Sequence, residues 1–296
     1  MDLSNVKAIL DKEFEVEKVK DNWSFMFDRL FIKKSVAKFR EQMHNTGLMI
    51  SNSSEVNKIY TAFSPSRYVL EEIQMKGIAN TLLVVKHPFD WDGRRNGKGF
   101  IPFSERDYQL MESIGISIYS LHTPLDKNRN DLVVSTAYAF AKVIKLKVEE
   151  EFGAESADNP DLILGLIGKT NDRKLSGLVK HLNSILDYKV KVRKVNEEVG
   201  KVAVVTGGGF VPGIMQEAKD KGVNTYITGI ITPNASEYSK KTYGKTLAEA
   251  NKIGINVIGC SHYLTEKWAM QYSLPYFSKI CKSEFIEDKE ALNILE

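Results

Sequence analysis

The chain has 296 residues, of which 43% are hydrophobic and 27% charged, as in an ordinary globular protein. Its formal net charge is only +3 with the two signs interspersed, which argues against a nucleic-acid-binding protein, because such proteins concentrate basic residues on one face. No apolar stretch approaches the roughly 20 residues of a membrane span, and two cysteines without a secretory-type segment at the start lead us to expect a soluble cytoplasmic protein.

Strand-like and helix-like patterns alternate along most of the chain. Strands are predicted over 56–63, 81–86, 116–121, 162–167, 188–192, 202–206, 224–228 and 255–260, with a last edge strand at 285–286. Helical spacing and capping residues predict helices over 5–10 and its continuation, 22–46, 67–76, 104–113, 131–145, 175–186, 214–221, 236–254 and 265–281. The alternation predicts an α/β fold with mixed sheets flanked by helices.

The stretch 148–161 interrupts this alternation. It is acidic, contains a glycine and an Asn-Pro pair, and has few large apolar residues. Such a composition is typical of a crossing between domains. We therefore predict a discontinuous α/β domain of residues 1–147 and 250–296 that carries the functional site, and an inserted second α/β domain of residues 148–249.

Three of the five histidines follow predicted strands. His87 ends the strand that begins at residue 81. His122 follows the strand 116–121 and precedes Asp126 by four residues, and His262 follows the strand 255–260 and precedes Glu266 by four residues. Ligands gather at the carboxyl ends of the strands in an open α/β sheet. Three imidazoles and two carboxylates at such ends can bind a divalent metal, so the sequence predicts a joint metal site.

Each of these motifs also has a structural interpretation. Asp126 could cap a turn. Glu266 could be stabilised by the dipole at the start of a helix. Pro88 holds the preceding His87 in extended geometry. This segment could therefore simply end a strand.

Three glycine motifs do not complete a nucleotide-binding pattern. The segments 168–170 and 244–246 resemble the end of a phosphate loop, but both lack the earlier glycine that the motif needs. The run 207–209 joins a strand to a helix without the spacing of a dinucleotide fingerprint. We interpret this run as a structural turn, with anion binding by its backbone N–H groups as the alternative.

The histidine motifs carry a resemblance to a known family. In chain order, Lys86-His87-Pro88, the block from His122 to Asp126, the glycine run 207–209 and the block from His262 to Glu266 resemble the NIF-three-like family, whose members are often labelled GTP cyclohydrolase I type 2 homologues. The likeness extends from about residue 50 to residue 280. It implies a two-domain α/β protomer, a homohexamer and a dinuclear site for divalent metal ions such as Zn, Fe, Mn or Mg.

The resemblance also implies a role for individual residues. By position it implies four metal ligands, namely His87, Asp126, His262 and Glu266, and it places His122 in the site without requiring it to bind the metal. We expect His122 to move protons as the catalytic residue. The family usually has a second histidine where this chain has Lys86, and a protonated lysine is a poor metal ligand. We therefore expect one or two metal ions per chain.

The expected function is that of a metal-dependent hydrolase. A metal-activated water would attack a nucleotide or a related phosphate-containing substrate. The alternative is a non-catalytic metal-binding or regulatory assembly protein with a partly degenerate dinuclear site. The expected partners are further copies of the chain and a small molecule, without a membrane or a nucleic acid.

Overall fold

The computed structural model describes residues 1–19, 46–92, 99–101, 103–156, 159–232 and 237–291. The helix predicted over 22–46 lies outside the described residues, except for Thr46. The helices are α1 (Leu3–Glu13), α2 (Arg67–Met75), α3 (Glu105–Ile114), α4 (His122–Asp126), α5 (Thr136–Val143), α6 (Leu175–Leu186), α7 (Pro212–Asp220), α8 (Glu237–Ile253), α9 (His262–Tyr272) and α10 (Leu274–Ile280). The strands are β1 (Gly47–Ile50), β2 (Lys58–Ala62), β3 (Thr81–Val85), β4 (Asp90–Asp92), β5 (Gly99–Ile101), β6 (Ile116–Ser120), β7 (Lys147–Ser156), β8 (Asn159–Lys169), β9 (Lys191–Arg193), β10 (Lys201–Val205), β11 (Val223–Thr228), β12 (Asn256–Gly259) and β13 (Ser283–Phe285).

These elements form two mixed sheets flanked by helices, which confirms the predicted fold class. The chain falls into two compact units. The first unit consists of the described residues of Met1–Asp92, Phe100–Leu125 and Met270–Ala291, and the second consists mainly of Asp126–Ala269. The prediction of an inserted domain over 148–249 stays a prediction.

The first unit is built on a five-stranded sheet of order β1-β6-β3-β2-β13. The neighbours β6, β3, β2 and β13 are parallel, and β1 closes the edge as an antiparallel strand. The three central strands β2, β3 and β6 are buried along their whole length. The nearly continuous apolar sequence of β3 is typical of a parallel strand that is buried on both faces. Helices α2 and α3 pack on one face through residues such as Val69, Ile73 and Met111.

Local sequence sets the ends of the helices that cover this sheet. Ser66 caps α2 by accepting a hydrogen bond from the backbone of Val69. Ser104 and Asp107 form a reciprocal capping box at the start of α3, and Gly115 ends that helix in the left-handed conformation.

An ionic cluster fixes the last strand of this sheet. Lys58, in β2, is only 6% exposed, and its Nζ lies 2.5 Å from Glu284 Oε2 in β13. Lys76 Nζ lies 2.7 Å from the other carboxylate oxygen. Hydrogen bonds from the two lysines hold the pKa of Glu284 below its ordinary value. The carboxylate therefore stays ionised and ties β13 to its neighbour.

The second unit contains a six-stranded sheet of order β7-β8-β10-β11-β12-β9. Strands β10, β11 and β12 are parallel neighbours, whereas β8 and β9 run antiparallel to the strands beside them. Apolar residues including Val205, Met215, Tyr226 and Val257 form one core cluster of this unit. The parallel register brings the carboxyl ends of β10, β11 and β12 to one edge of the sheet.

The structure corrects four local predictions. The acidic stretch 148–161, for which no strand was predicted before residue 162, is part of a long antiparallel hairpin, β7 and β8. The helix predicted from residue 131 begins at Thr136, because Ser135 caps it while Asp131 accepts a hydrogen bond from Val133 in the preceding turn. The segment from His122 to Asp126 is a short helix instead of a turn.

The fourth correction concerns the last predicted helix. The segment 265–281 is two helices, the first of which begins at His262. The second begins at Leu274 with a proline as its next residue. Proline has no backbone N–H and fits only the first turn of a helix, so the chain starts a new helix there. None of the helices in the described part of the chain combines the length and apolar character needed to cross a membrane.

Candidate metal centre

His262 and Glu266 form a buried pair on the first turn of α9. Their side chains are four residues apart, and His262 Nε2 lies 3.2 Å from Glu266 Oε2. His262 is 7% exposed and Glu266 is 4% exposed. The helix can begin at once after β12 because Ser261 takes a positive φ of 73° and turns the chain. The predicted four-residue spacing thus brings an imidazole and a carboxylate to one face of a helix.

The loop after β10 lies directly against this pair. Gly207 has a positive φ of 59°, and a Cβ built there would collide with the Glu266 carboxylate and lie 2.8 Å from His262 Nε2. The backbone N–H of Gly207 donates to Thr265 Oγ1 at 3.0 Å, and its carbonyl accepts from Ile230 at 3.1 Å. Only glycine fits this backbone and this contact, so the glycine run is part of the site and not only a turn.

In the first unit, His87 and His122 follow the parallel strands β3 and β6. Their ring centroids are 4.9 Å apart in an edge-on arrangement. The Phe63 ring also packs against the His87 ring, with 4.6 Å between the centroids. His87 is 1% exposed, and its backbone N–H donates to the Phe63 carbonyl at 2.7 Å. The sequence prediction that these two histidines come together is consistent with this contact.

Lys86 is buried beside these histidines. Its side chain is 1% exposed, and its Nζ donates to the backbone carbonyl of His122 at 3.0 Å. The position where the resemblance leads us to expect an imidazole therefore holds an amine that is engaged with the backbone. An amine bonded in this way offers no ligand comparable to an imidazole.

Each unit offers buried ligand atoms of the kind that the sequence predicts. His87 in the first unit, and His262 and Glu266 in the second, are all buried. Imidazole nitrogens and carboxylate oxygens are common ligands of Zn²⁺ and of non-haem iron. In the second unit, the donor chemistry of His262 and Glu266 and the close backbone at Gly207 both fit a divalent cation.

Asp126 lies in the second unit, where its carboxylate is held by a hydrogen bond. Its Oδ1 accepts a hydrogen bond from Thr136 Oγ1 at 2.9 Å, and Thr136 Oγ1 accepts from Thr206 Oγ1 at 2.9 Å. The role of Asp126 as a metal ligand and that of His122 as a proton carrier stay predictions. Thr136 and Thr206 were not predicted as part of this region, because a hydrogen bond between residues 70 positions apart leaves no local sequence pattern.

Cys260 precedes this turn but adds no thiolate. The side chain is fully buried at the end of β12, and burial raises the pKa of its thiol. A thiol that remains protonated is a poor nucleophile. The candidate ligand pair, His262 and Glu266, offers a nitrogen and an oxygen atom.

Comparison with known proteins identifies a family that the sequence matches. The family model described as Duf34/NIF3 (NGG1p interacting factor 3) matches residues 29–288. A protein of Borreliella burgdorferi named GTP cyclohydrolase 1 type 2 homolog is 27% identical over 225 residues, which cover 76% of this chain and 79% of that protein. A protein of the same name from Neisseria meningitidis serogroup A is 26% identical over 245 residues, which cover 79% and 84%.

Solved structures share the fold along nearly the whole chain. The protein ybgI, described as of unknown function, matches with a TM-score of 0.70 and 20% identity, covering 98% of this chain and all of that one. Reduced HcgD from Methanocaldococcus jannaschii matches with a TM-score of 0.62 and 20% identity, covering 97% of each chain. At this level of identity the likeness concerns the fold.

Proposed function

The chain belongs to the Duf34/NIF3 family, and from that premise we propose that it is a metal-dependent hydrolase of a nucleotide or a related phosphate-containing molecule. The observation that carries the proposal is the buried pair of His262 and Glu266, whose Nε2 and Oε2 atoms lie 3.2 Å apart against the backbone of Gly207. The family resemblance adds His87 as a further proposed ligand. The name of the relatives, GTP cyclohydrolase 1 type 2 homolog, supports GTP as the first nucleotide to test.

In this proposal each residue has a defined task. His87 and His262 hold a divalent cation through imidazole nitrogens, and Glu266 supplies a carboxylate oxygen and a negative charge. When bound, such a cation supplies Lewis acidity and a nucleophile at neutral pH. His122, whose ring contacts that of His87, moves a proton to or from the substrate, a task that contributes roughly 10²–10⁴-fold in rate.

Metal binding is the first test of this proposal. We expect protein reconstituted with excess Zn²⁺, Mn²⁺ or Co²⁺ to retain metal after desalting, whereas Glu266→Ala retains none. Removing the carboxylate leaves only neutral ligands from this group, so the charge of the cation is poorly compensated. His181→Ala is a matched control, because His181 pairs with Asp172 at 2.9 Å elsewhere in the second unit. Equal metal content in the wild type and Glu266→Ala would contradict the proposed centre.

Turnover is the second test. We expect hydrolysis of GTP or of another member of a nucleotide and phosphoester panel by the metal-loaded wild type. His122→Ala should keep its metal and lose rate, whereas Glu266→Ala should lose both. If His122→Ala empties the site, then His122 is itself a metal ligand and its assignment as a proton carrier is wrong.

One observation favours the non-catalytic alternative. Lys86 places a buried amine, engaged with the His122 carbonyl, where the family resemblance implies a second metal-binding imidazole. We propose that the chain binds one metal ion and not two. A metal-binding or regulatory protein with a partly degenerate site would bind that ion without turnover on any member of the panel.

We also propose that the chain assembles as a homohexamer. The support for this proposal is the resemblance to the family, together with an aromatic content of 10% that can supply interface anchors. Light scattering at micromolar concentration should give the mass of six chains. A monomer at that concentration would contradict this proposal without affecting the proposed metal centre.

A further inference from the structure

A chain of hydrogen bonds runs from the end of β10 to Asp126. Thr206 Oγ1 lies 2.9 Å from Thr136 Oγ1, which lies 2.9 Å from Asp126 Oδ1. Thr136 is 1% exposed and Thr206 is 9% exposed, so protein groups and not bulk water satisfy these hydroxyls. The three residues come from separate segments: the end of α4, the start of α5 and the end of β10.

The chemistry of the carboxylate fixes the direction of these hydrogen bonds. An ionised carboxylate only accepts, so the single hydroxyl hydrogen of Thr136 is donated to Asp126. Thr136 can then only accept from Thr206, which donates its own hydrogen. The chain therefore points both hydroxyl donors toward Asp126, and each bond polarises the next.

The same segment contacts the buried ligand pair on its other side. Thr206 is followed by Gly207, whose backbone packs against His262 and Glu266. The Gly207 N–H donates to Thr265 Oγ1, which also lies 3.0 Å from the His262 carbonyl. Thr206 is thus linked to Asp126 through Thr136, and the adjacent Gly207 is linked to the first turn of α9 through Thr265.

We infer that Thr136 and Thr206 are positioning residues that hold the Asp126 carboxylate in the orientation required at the metal centre. The inference rests on the proposed function and on the predicted role of Asp126 as a further metal ligand. Groups that hydrogen-bond to the residues around a metal commonly change its affinity about 10–100-fold when removed. A threonine and a valine have nearly the same shape, so Thr136→Val and Thr206→Val remove the donors and keep the packing.

The experiment measures Co²⁺ affinity and the visible spectrum of the Co²⁺-loaded protein. We expect Thr136→Val to weaken Co²⁺ binding about 10–100-fold and to change the spectrum, with a smaller loss for Thr206→Val, which is one bond farther away. Thr136→Ser and Thr206→Ser keep the hydroxyl and should restore both readouts. In an Asp126→Ala background, Thr136→Val should have no further effect, because the group that it orients is gone.

Thr225→Val is the matched control for a buried threonine hydroxyl. Thr225 is fully buried on the adjacent strand β11, and its hydroxyl donates to the Val199 carbonyl at 2.8 Å. We expect this variant to lose stability but to bind Co²⁺ like the wild type. If Thr136→Val does not fold, Thr206→Val gives the same test.

The possible results separate this inference from the proposed function. Wild-type affinity in Thr136→Val and Thr206→Val, with a loss in Asp126→Ala, overturns the positioning role alone. Wild-type affinity in Asp126→Ala also overturns it, and leaves His87, His262 and Glu266 as the proposed centre. A wild-type protein that binds no Co²⁺ refutes the proposed function, and the inference fails with it.

Discussion

Replacing Gly207 with alanine tests how closely the backbone packs against the ligand pair. The backbone at this residue has a φ of 59°, a conformation that costs an alanine about 1–2 kcal/mol. The added Cβ would also collide with the Glu266 carboxylate and lie 2.8 Å from His262 Nε2. Overpacking of this kind costs about 1–3 kcal/mol, so we expect Gly207→Ala to lose roughly 2–5 kcal/mol of unfolding free energy.

Two further glycines divide that loss into its causes. Gly222 has a φ of 80° with no atom within 4 Å of a built Cβ, so Gly222→Ala should show only the backbone cost of about 1–2 kcal/mol. Gly208 is exposed, has no atom within that distance and has no positive φ, so Gly208→Ala should be nearly neutral. The difference in unfolding free energy between Gly207→Ala and Gly222→Ala measures the cost of the collision itself.

Urea denaturation gives the stability of these variants, and a Co²⁺ titration reports on the ligand pair. The Glu266 carboxylate must move away from the new methyl group, so Gly207→Ala should also lose about 10–100-fold in Co²⁺ affinity. Gly222→Ala should keep wild-type affinity at an equal backbone cost. If both variants have the same stability and the same affinity, the reasoning about close packing at Gly207 is wrong.

Three further predictions concern other parts of the chain. Glu284→Gln should lower the unfolding free energy by about 1 kcal/mol at pH 7, because it leaves the buried Lys58 without its counter-charge, although solvent screens the 38% exposed Glu284 side chain. Because the pKa of Glu284 is lowered in the folded protein, the stability that the carboxylate contributes is complete above its ordinary pKa of 4.5 and is lost as the pH falls through the folded pKa. The urea midpoints of variant and wild type should therefore converge in acid. A difference that stays constant with pH would contradict the role of the ionised Glu284. A thiol reagent at pH 8 should modify the partly exposed Cys281 in the folded protein but not Cys260, whose pKa is raised by burial, and mass spectrometry of the labelled peptides would show a labelled Cys260 if this is wrong. Lys86→His should raise the number of metal ions bound per chain whereas Lys86→Met should not, and an unchanged metal content in Lys86→His by elemental analysis would mean that the amine does not limit the site.

The central parallel strands could be predicted from the sequence because they are buried on both faces. The β-rich runs 81–86, 116–121 and 255–260 predicted β3, β6 and β12 to within one residue at each end. The predicted strand 162–167 lies within β8, but its partner β7 was missed because the sequence of β7 is charged. Glu149 pairs with Lys169 across the hairpin, and Tyr138 donates a hydrogen bond to Glu151. These polar side chains stabilise a strand whose sequence, taken alone, is typical of a linker.

Some residues of the candidate centre could also be predicted from the sequence, and others could not. His262 and Glu266 were predictable, because a four-residue spacing at the start of a helix places two side chains on one face. His87 was predictable from its place at a strand end. The contribution of Gly207 was not, since a glycine run indicates a turn but not which side chain the backbone will contact. The hydroxyls of Thr136 and Thr206 meet only when distant segments fold together.

The pairing of β2 with β13 has a consequence for biosynthesis. Lys58 and Glu284, which join these strands, are separated by 226 residues. At roughly 5–20 residues per second, a ribosome needs about 11–45 seconds to add the partner strand. During that interval one hydrogen-bonding edge of an apolar strand lacks its native neighbour, and such an edge can pair with another chain. Aggregation during expression should therefore fall when synthesis of the second unit is fast or when a chaperone protects the nascent edge.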